Sequence, residues 1–244
     1  GTGRGRKYEI SPAYDLFYPM DIEEYFNQEI DERTIKNSFN FDLTSNLLRN
    51  VKLFTDEELE NLTDLQETYQ RNVSRLTPEA YAKELERLAI DLSWKSSQIE
   101  GNTYSLLETE RLLKEKETAE GKTKDEAVML LNHKEALDYI FEDPNYLTPL
   151  SIARIEEIHS MLVKDLGIDR NIRNRRVGIT GTNYVPLDNE FQLREALQDL
   201  CDMVNNRDSV FEKALLLLVL ISYIQPFSDG NKRVARIISN AILM

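Results

Sequence analysis

The chain has 244 residues, 43 of them acidic and 30 basic, for a formal net charge of −13. That balance argues against a general nucleic-acid surface, while 41% hydrophobic residues suffice for a sizeable core. A single cysteine, Cys201, excludes an intramolecular disulfide framework, and with only two histidines, His133 and His159, the usual zinc ligand clusters cannot be assembled.

Residues 1–7 read as a flexible, basic, glycine-rich tail. Residues 11–51 mix aromatic and polar side chains with weak periodicity. Thr55-Asp56-Glu57-Glu58 opens a helix with a capping-box pattern, and Thr77-Pro78-Glu79 opens another. In that second helix Leu85, Leu88, Ala89, Leu92, Ser96 and Ile99 form one stripe, and Gly101 stands where a C-terminal cap is expected. Glu100 occupies its last turn, where the helix dipole disfavours a carboxylate by about 0.3–1 kcal/mol; such a placement calls for another reason.

Gly121-Lys122-Thr123 lacks the upstream glycine of a P-loop and reads as a connection between helices. A helix is expected over 126–141, including Asn132 and His133, and another over 151–166. There Ile152, Ile155, His159, Leu162 and Leu166 share a face, so His159 is expected to be a core histidine with a satisfied ring. The segment 177–186 carries the hairpin signal of the chain, two short β-prone arms around Thr180-Gly181-Thr182-Asn183.

Ala214 to Ile224 is nearly all apolar and far shorter than the ~20 residues of a membrane span, so it reads as a buried helix ending before Pro226. After a loop, Val234, Ile237, Ile238, Ala241 and Ile242 recur at helical spacing, with Arg233, Arg236 and Asn240 on the other face. The loop therefore feeds a helix N-terminus, whose free amides and positive dipole end favour an anion. Gly230 lets the backbone approach a phosphate, two arginines add charge-assisted contacts, and Asp229 offers a hard oxygen of the kind that holds magnesium beside phosphates.

The ordered run from Gln225 to Arg236 resembles the motif of the Fic family, His-x-Phe-x-Asp/Glu-Gly-Asn-Gly/Lys-Arg-x-x-Arg, at every defining position except the first, where Gln225 replaces histidine. Ser96 to Gly101 is similar to the inhibitory motif Ser/Thr-x-x-x-Glu-Gly/Asn that some Fic proteins carry ahead of their core. The resemblance implies an all-α, mainly helical Fic fold with one small β-hairpin flap. It divides the chain into an N-terminal helical region, 1–102, and a Fic core, 103–244, that continues past the apolar end at Ile242-Leu243-Met244. By resemblance Phe227 anchors the loop, Asp229 holds Mg2+, Gly230 and Asn231 cradle the α- and β-phosphates of ATP, Arg233 meets the β-phosphate and Arg236 the γ-phosphate. Ser96, Glu100 and Gly101 form the inhibitory element, with Glu100 pairing Arg236. Ile179, Thr180, Gly181, Thr182 and Tyr184 form a flap that clamps a segment of a target protein.

The implied activity is transfer of AMP from ATP to a Ser, Thr or Tyr hydroxyl of an unidentified target protein, held off by Glu100. A carboxamide hydrogen-bonds but cannot act as general base near neutrality, so Gln225 argues against turnover and not against binding. A non-catalytic nucleotide-binding module stands as the alternative, and removal of AMP with help from Glu100 is a third reading. A soluble, cytoplasmic protein without membrane or nucleic-acid partners is expected, and a homo-oligomer is compatible with the sequence.

Overall fold

The computed structural model describes residue 10 and residues 14–33, 38–143, 145–179 and 181–244. The basic tail of residues 1–7, Pro144 and Thr180 lie outside the described residues. Among the described residues eleven α-helices follow one another: α1 (Tyr14–Phe17), α2 (Ile22–Asn27), α3 (Phe41–Ser45), α4 (Asp56–Val73), α5 (Pro78–Ile99), α6 (Leu106–Glu115), α7 (Lys124–Glu142), α8 (Ile152–Leu162), α9 (Glu190–Asn205), α10 (Val210–Ile224) and α11 (Asn231–Leu243). No helix among the described residues is long and apolar enough to cross a membrane.

Helix starts follow local capping chemistry. Thr55 and Glu58 close a capping box on α4, Thr77 caps α5 with Pro78 in its first turn, and Thr123 with Glu126 does the same for α7. Thr103 also hydrogen-bonds Glu126 through its hydroxyl and amide, and these bonds, with those from Thr123, hold the Glu126 pKa down at about 2. Two helices that no sequence pattern had singled out, α6 and α9, are capped by Ser105 and Asn189.

The core gathers around α10, which packs against α9 and α11, while α8 packs against α7, α9 and α11. Ile155, Leu193, Leu197, Leu217, Ile221, Phe227, Val234 and Ile238 are fully buried there; each such side chain contributes about 1.5–3 kcal/mol. A smaller cluster of Ile90, Tyr104, Leu112, Leu113, Ala127 and Leu130 joins α5, α6 and α7. By contrast α4 buries none of its residues.

Two expectations are corrected. Helix α8 ends at Leu162, not at Leu166, because Asp165 adopts a left-handed φ of 60° and the Asn132 side chain donates to the Leu162 and Lys164 carbonyls. The segment 177–186 is no hairpin among its described residues: it carries no ladder of its own, and its one bridge pairs Val185 with Ser38 in parallel. Two short arms are marginal alone. Here their partners lie elsewhere, since Tyr184 donates to the Tyr223 carbonyl (3.0 Å) and stacks on the Tyr223 ring.

Candidate functional site

The loop between α10 and α11 begins with Gln225 in the left-handed region (φ 53°, ψ 58°), a conformation that costs a non-glycine residue about 1–3 kcal/mol. Several bonds hold it. Gln225 Nε2 donates to the Ser222 carbonyl (2.6 Å), and its Oε1 accepts from Asn231 Nδ2 (2.9 Å). Arg173 donates from Nε to the Gln225 carbonyl (2.7 Å) and from its backbone to the Pro226 carbonyl (3.0 Å). Asn231 closes the loop further, accepting from the Phe227 amide (2.8 Å) and donating to the Phe227 carbonyl (2.9 Å).

Phe227 is fully buried and lies flat on the His159 ring, centroids 3.7 Å apart at 2°. His159 Nε2 faces the Asp229 carbonyl (2.9 Å) and Nδ1 the Arg170 carbonyl (3.2 Å), so the buried ring is the core histidine the helix pattern predicts, donating to one of the two carbonyls when neutral. Burial lowers its pKa against the opposing pull of those carbonyls. Gly230 has φ +81°, and a Cβ there would come within 3.4 Å of the His159 ring and Val163, which accounts for glycine at this position.

Gly230 is also the N-cap of α11 and supplies no side-chain cap, so the amides of the first turn, residues 231–233, remain available to an anion. Of the two motif arginines, Arg233 is buried; its Nη1 reaches the Leu162 carbonyl (3.4 Å), and its Nη2 lies 3.7 Å from Asp229 Oδ2. Asp229 keeps its carboxylate 62% exposed, with Oδ1 accepting from the Gly230 amide (2.5 Å). Lys232 points to solvent. The Asn231 carboxamide is committed to bracing the loop, so what Asn231 offers a phosphate is its backbone amide.

Arg236 lies opposite the end of α5. Its Nη2 donates to Glu100 Oε1 (2.6 Å) and to the Ser96 carbonyl (3.1 Å), and its Nε donates to Ser96 Oγ (3.0 Å). Both side chains are largely withdrawn from solvent, 18% exposed for Arg236 and 26% for Glu100. Glu100 is the C-cap of α5, and Gly101 follows with φ +91°, as the cap pattern predicts. The carboxylate that the dipole disfavours thus has its compensation in a guanidinium 136 residues away in sequence.

Beneath this pair His133 is buried, with Nδ1 3.2 Å from Ser93 Oγ and Nε2 unpartnered. Burial first, then the charges of Arg236 and Arg233, hold its pKa down at about 3. Within the flap segment Gly181 has φ +82°, the Tyr184 amide donates to Thr182 Oγ1 (3.2 Å), and Ile179 is half-buried. No cluster of three or more metal-ligating side chains occurs among the described residues. Arg173 and the capping role of Asn132 were not legible beforehand, because each acts on backbone carbonyls distant in sequence.

Residues 149–243 match the family model described as the Fic/DOC family. Over that stretch the chain is similar to Fic/DOC proteins. The chain is 31% identical over 156 residues to Protein adenylyltransferase Fic of Nematostella vectensis, covering 62% of this chain and 36% of that protein. With Protein adenylyltransferase fic-1 of Caenorhabditis elegans it shares 27% identity over 154 residues, covering 60% of this chain and 30% of the relative. The chain therefore spans about a third of the length of these curated relatives.

Among solved structures, Fic-1 (residues 134–508) from C. elegans superposes with a TM-score of 0.64 at 23% identity, covering 77% of this chain and 56% of that one. A Fic-domain-containing signaling protein from Bacteroides thetaiotaomicron gives 0.62 at 22% identity, covering 73% and 70%. These likenesses show the helical Fic fold. Within residues 149–243, the loop from Gln225 to Gly230 and the start of α11 gather the motif residues, while Ser96 and Glu100 reach them from α5, ahead of the matched residues.

Proposed function

We propose that the loop and the first turns of α11 form the ATP phosphate site of a protein adenylyltransferase, held closed by Glu100. The observation that carries this reading is the 2.6 Å contact between Arg236 and Glu100, beside a helix start with available amides and a second, buried arginine. A carboxylate on Arg236 competes directly with a γ-phosphate for the same guanidinium, so occupancy by Glu100 weakens productive ATP binding. Arg233 would meet the β-phosphate, and the amides after Gly230 the α- and β-phosphates. The exposed Asp229 carboxylate fits a magnesium ion whose other ligands are phosphate oxygens and water. Bound there, magnesium would neutralise charge on the phosphates as pyrophosphate leaves.

In the transfer itself a target hydroxyl oxygen bonds to the α-phosphorus, the bond to pyrophosphate breaks, and the hydroxyl proton needs an acceptor. Gln225 cannot take it. His159 has its nitrogens against backbone carbonyls, and His133 is a weak, buried base, so neither replaces the missing group. Loss of a general base removes about 10²–10⁴ in rate, and turnover by this chain is expected to be low in proportion. The target would be a protein segment lying along residues 177–186, with a Ser, Thr or Tyr hydroxyl presented to the loop. The names of the curated relatives, protein adenylyltransferases, favour this reaction class.

A second reading rests on Gln225 itself. Its carboxamide is bonded at both ends, to the Ser222 carbonyl and to Asn231, and so serves the loop as a strut. On this reading the chain is a nucleotide-binding regulatory module without turnover. AMP transfer from labelled ATP by this chain, by Gln225→His and by Gln225→His with Glu100→Gly separates the two, alongside calorimetric binding of MgATP. Transfer by the double variant is the expected result. A double variant that binds ATP but modifies neither itself nor added proteins leaves the regulatory module, and absence of binding after Glu100 is removed overturns the phosphate site. Release of AMP from a modified target by Gln225→His only while Glu100 is present would assign hydrolytic removal of AMP, water attacking the phosphorus and the target hydroxyl leaving.

A further inference from the structure

Arg173 belongs to none of the motifs, yet it reaches the loop from the irregular stretch between α8 and α9. It is 3% exposed. Its backbone amide donates to the Pro226 carbonyl, its Nε to the Gln225 carbonyl, and its Nη1 to the Arg175 carbonyl (2.7 Å). Its Nη2 is buried without a partner. Among the described residues it forms no ion pair, so a buried guanidinium is held by carbonyl oxygens alone, two of them at the C-terminal end of α10 where the helix dipole is negative.

We propose that Arg173 is the positioning residue of the phosphate loop, clamping the left-handed turn at Gln225 from behind and lending the loop a buried positive charge. The proposal takes its ligand, though not its geometry, from the phosphate-site reading above. The carbonyls on both sides of Pro226 are bound by one residue, so neither the Gln225–Pro226 nor the Pro226–Phe227 peptide can rotate without breaking a bond to Arg173. Proline at 226 has no N–H with which to stabilise the turn itself. A glutamine would otherwise leave the left-handed region, and with it the direction in which Phe227 enters the core and Gly230 starts α11. The charge acts alongside the geometry. Arg233 and Arg236 each have a carboxylate partner, Asp229 and Glu100, whereas Arg173 forms no ion pair among the described residues; the Asp188 carboxylate, itself bound to Arg176, acts on it only from beyond contact, which leaves the Arg173 charge to favour an anion arriving at the loop.

Amide hydrogen exchange in the full chain tests the clamp without any nucleotide. Arg173→Met should raise exchange at the amides of Gln225, Phe227 and Val234 at least tenfold while buried amides of α9 keep their protection. Arg173→Lys should retain part of the MgATP affinity, read by calorimetry with Glu100→Gly, but not the exchange protection, because an ammonium cannot reproduce the fork. The effect of Arg173→Met on loop exchange should shrink at least threefold when combined with Gln225→Gly, since glycine adopts the left-handed turn without strain. Exchange that rises equally in α9 and the loop, or an effect undiminished by Gln225→Gly, overturns the proposal. If Glu100→Gly with Arg173 intact binds no MgATP, the phosphate-site reading falls while the exchange arm still decides Arg173.

Discussion

The loop at residues 225–231 and the flap segment at 177–186 are both short, irregular and expected to border one site, but they are held in opposite ways. The loop is closed largely by its own residues: Asn231 binds Phe227 at both its amide and its carbonyl and Gln225 through the side chain, and Phe227 seats the whole turn on His159. Among its described residues the flap has little of its own beyond the Tyr184–Thr182 contact. It leans on Tyr223 at the end of α10, on Ser38 through one bridge, and on Asp31 through Asn183 (3.3 Å). The stack of Tyr184 on Tyr223 continues to Phe39, so residues before α3 complete the support. A turn proposed to present amides to a phosphate needs internal over-determination, whereas a surface proposed to pair with an incoming segment can borrow its shape.

Acid gives the widest test of that contrast, since both histidines lie on the loop side. His133 titrates at about 3 in the fold against 6.5 in the unfolded chain. A depressed pKa means the unfolded state binds the extra proton. The stability is therefore fully present above about 6.5 and falls through the window down to about 3, by up to about 1.4 kcal/mol per pH unit for this group. Burial moves His159 the same way. Urea unfolding at pH 7.5, 6 and 5 should show the decline, and His133→Asn should flatten it. Next in size, Asn231→Ala leaves the Phe227 amide and carbonyl buried without partners and should lower stability by about 2–4 kcal/mol in urea titrations. An equal loss from a flap substitution would erase the distinction.

Glu100→Gly should tighten MgATP binding about tenfold or more, the scale of a charge-assisted bond worth about 1.5–3 kcal/mol; unchanged affinity in calorimetry would count against competition at Arg236. The smallest effect is expected from Tyr184→Phe. It removes one hydrogen bond but keeps the ring stack, for about 0.5–1.5 kcal/mol in thermal unfolding, with nucleotide affinity unchanged.

Much of the helical layout was legible because helix starts are local. Thr55 with Glu58 and Thr77 with Pro78 act within one turn, and each helix begins where those residues place it. The same local logic holds at Ser105 and Glu108, whose capping box opens α6. The end of α8 was not legible, since Asn132 stops it from 30 residues away. The hairpin reading failed for a related reason: β-prone arms state a tendency, but the tertiary surroundings of Tyr184 and Val185 decide what they pair with. His159 was readable as a core residue from its helical face, while its stack on Phe227 required the loop to fold back over it.

By itself the sequence determined the helical periodicities, the capping chemistry and the set of phosphate-competent residues between Asp229 and Arg236, because each depends on neighbours within a few positions. It also determined that position 225 carries a carboxamide and no base. Only the tertiary structure decided that Glu100 reaches Arg236, that Arg173 clamps the turn at Gln225, and that Asn231 spends its side chain on the loop. Those contacts join residues from 4 to 136 positions apart, and the longer ones exist only once α5, α10 and α11 have packed. Loop-closure entropy of that kind is repaid by the core as a whole, so no local pattern records it.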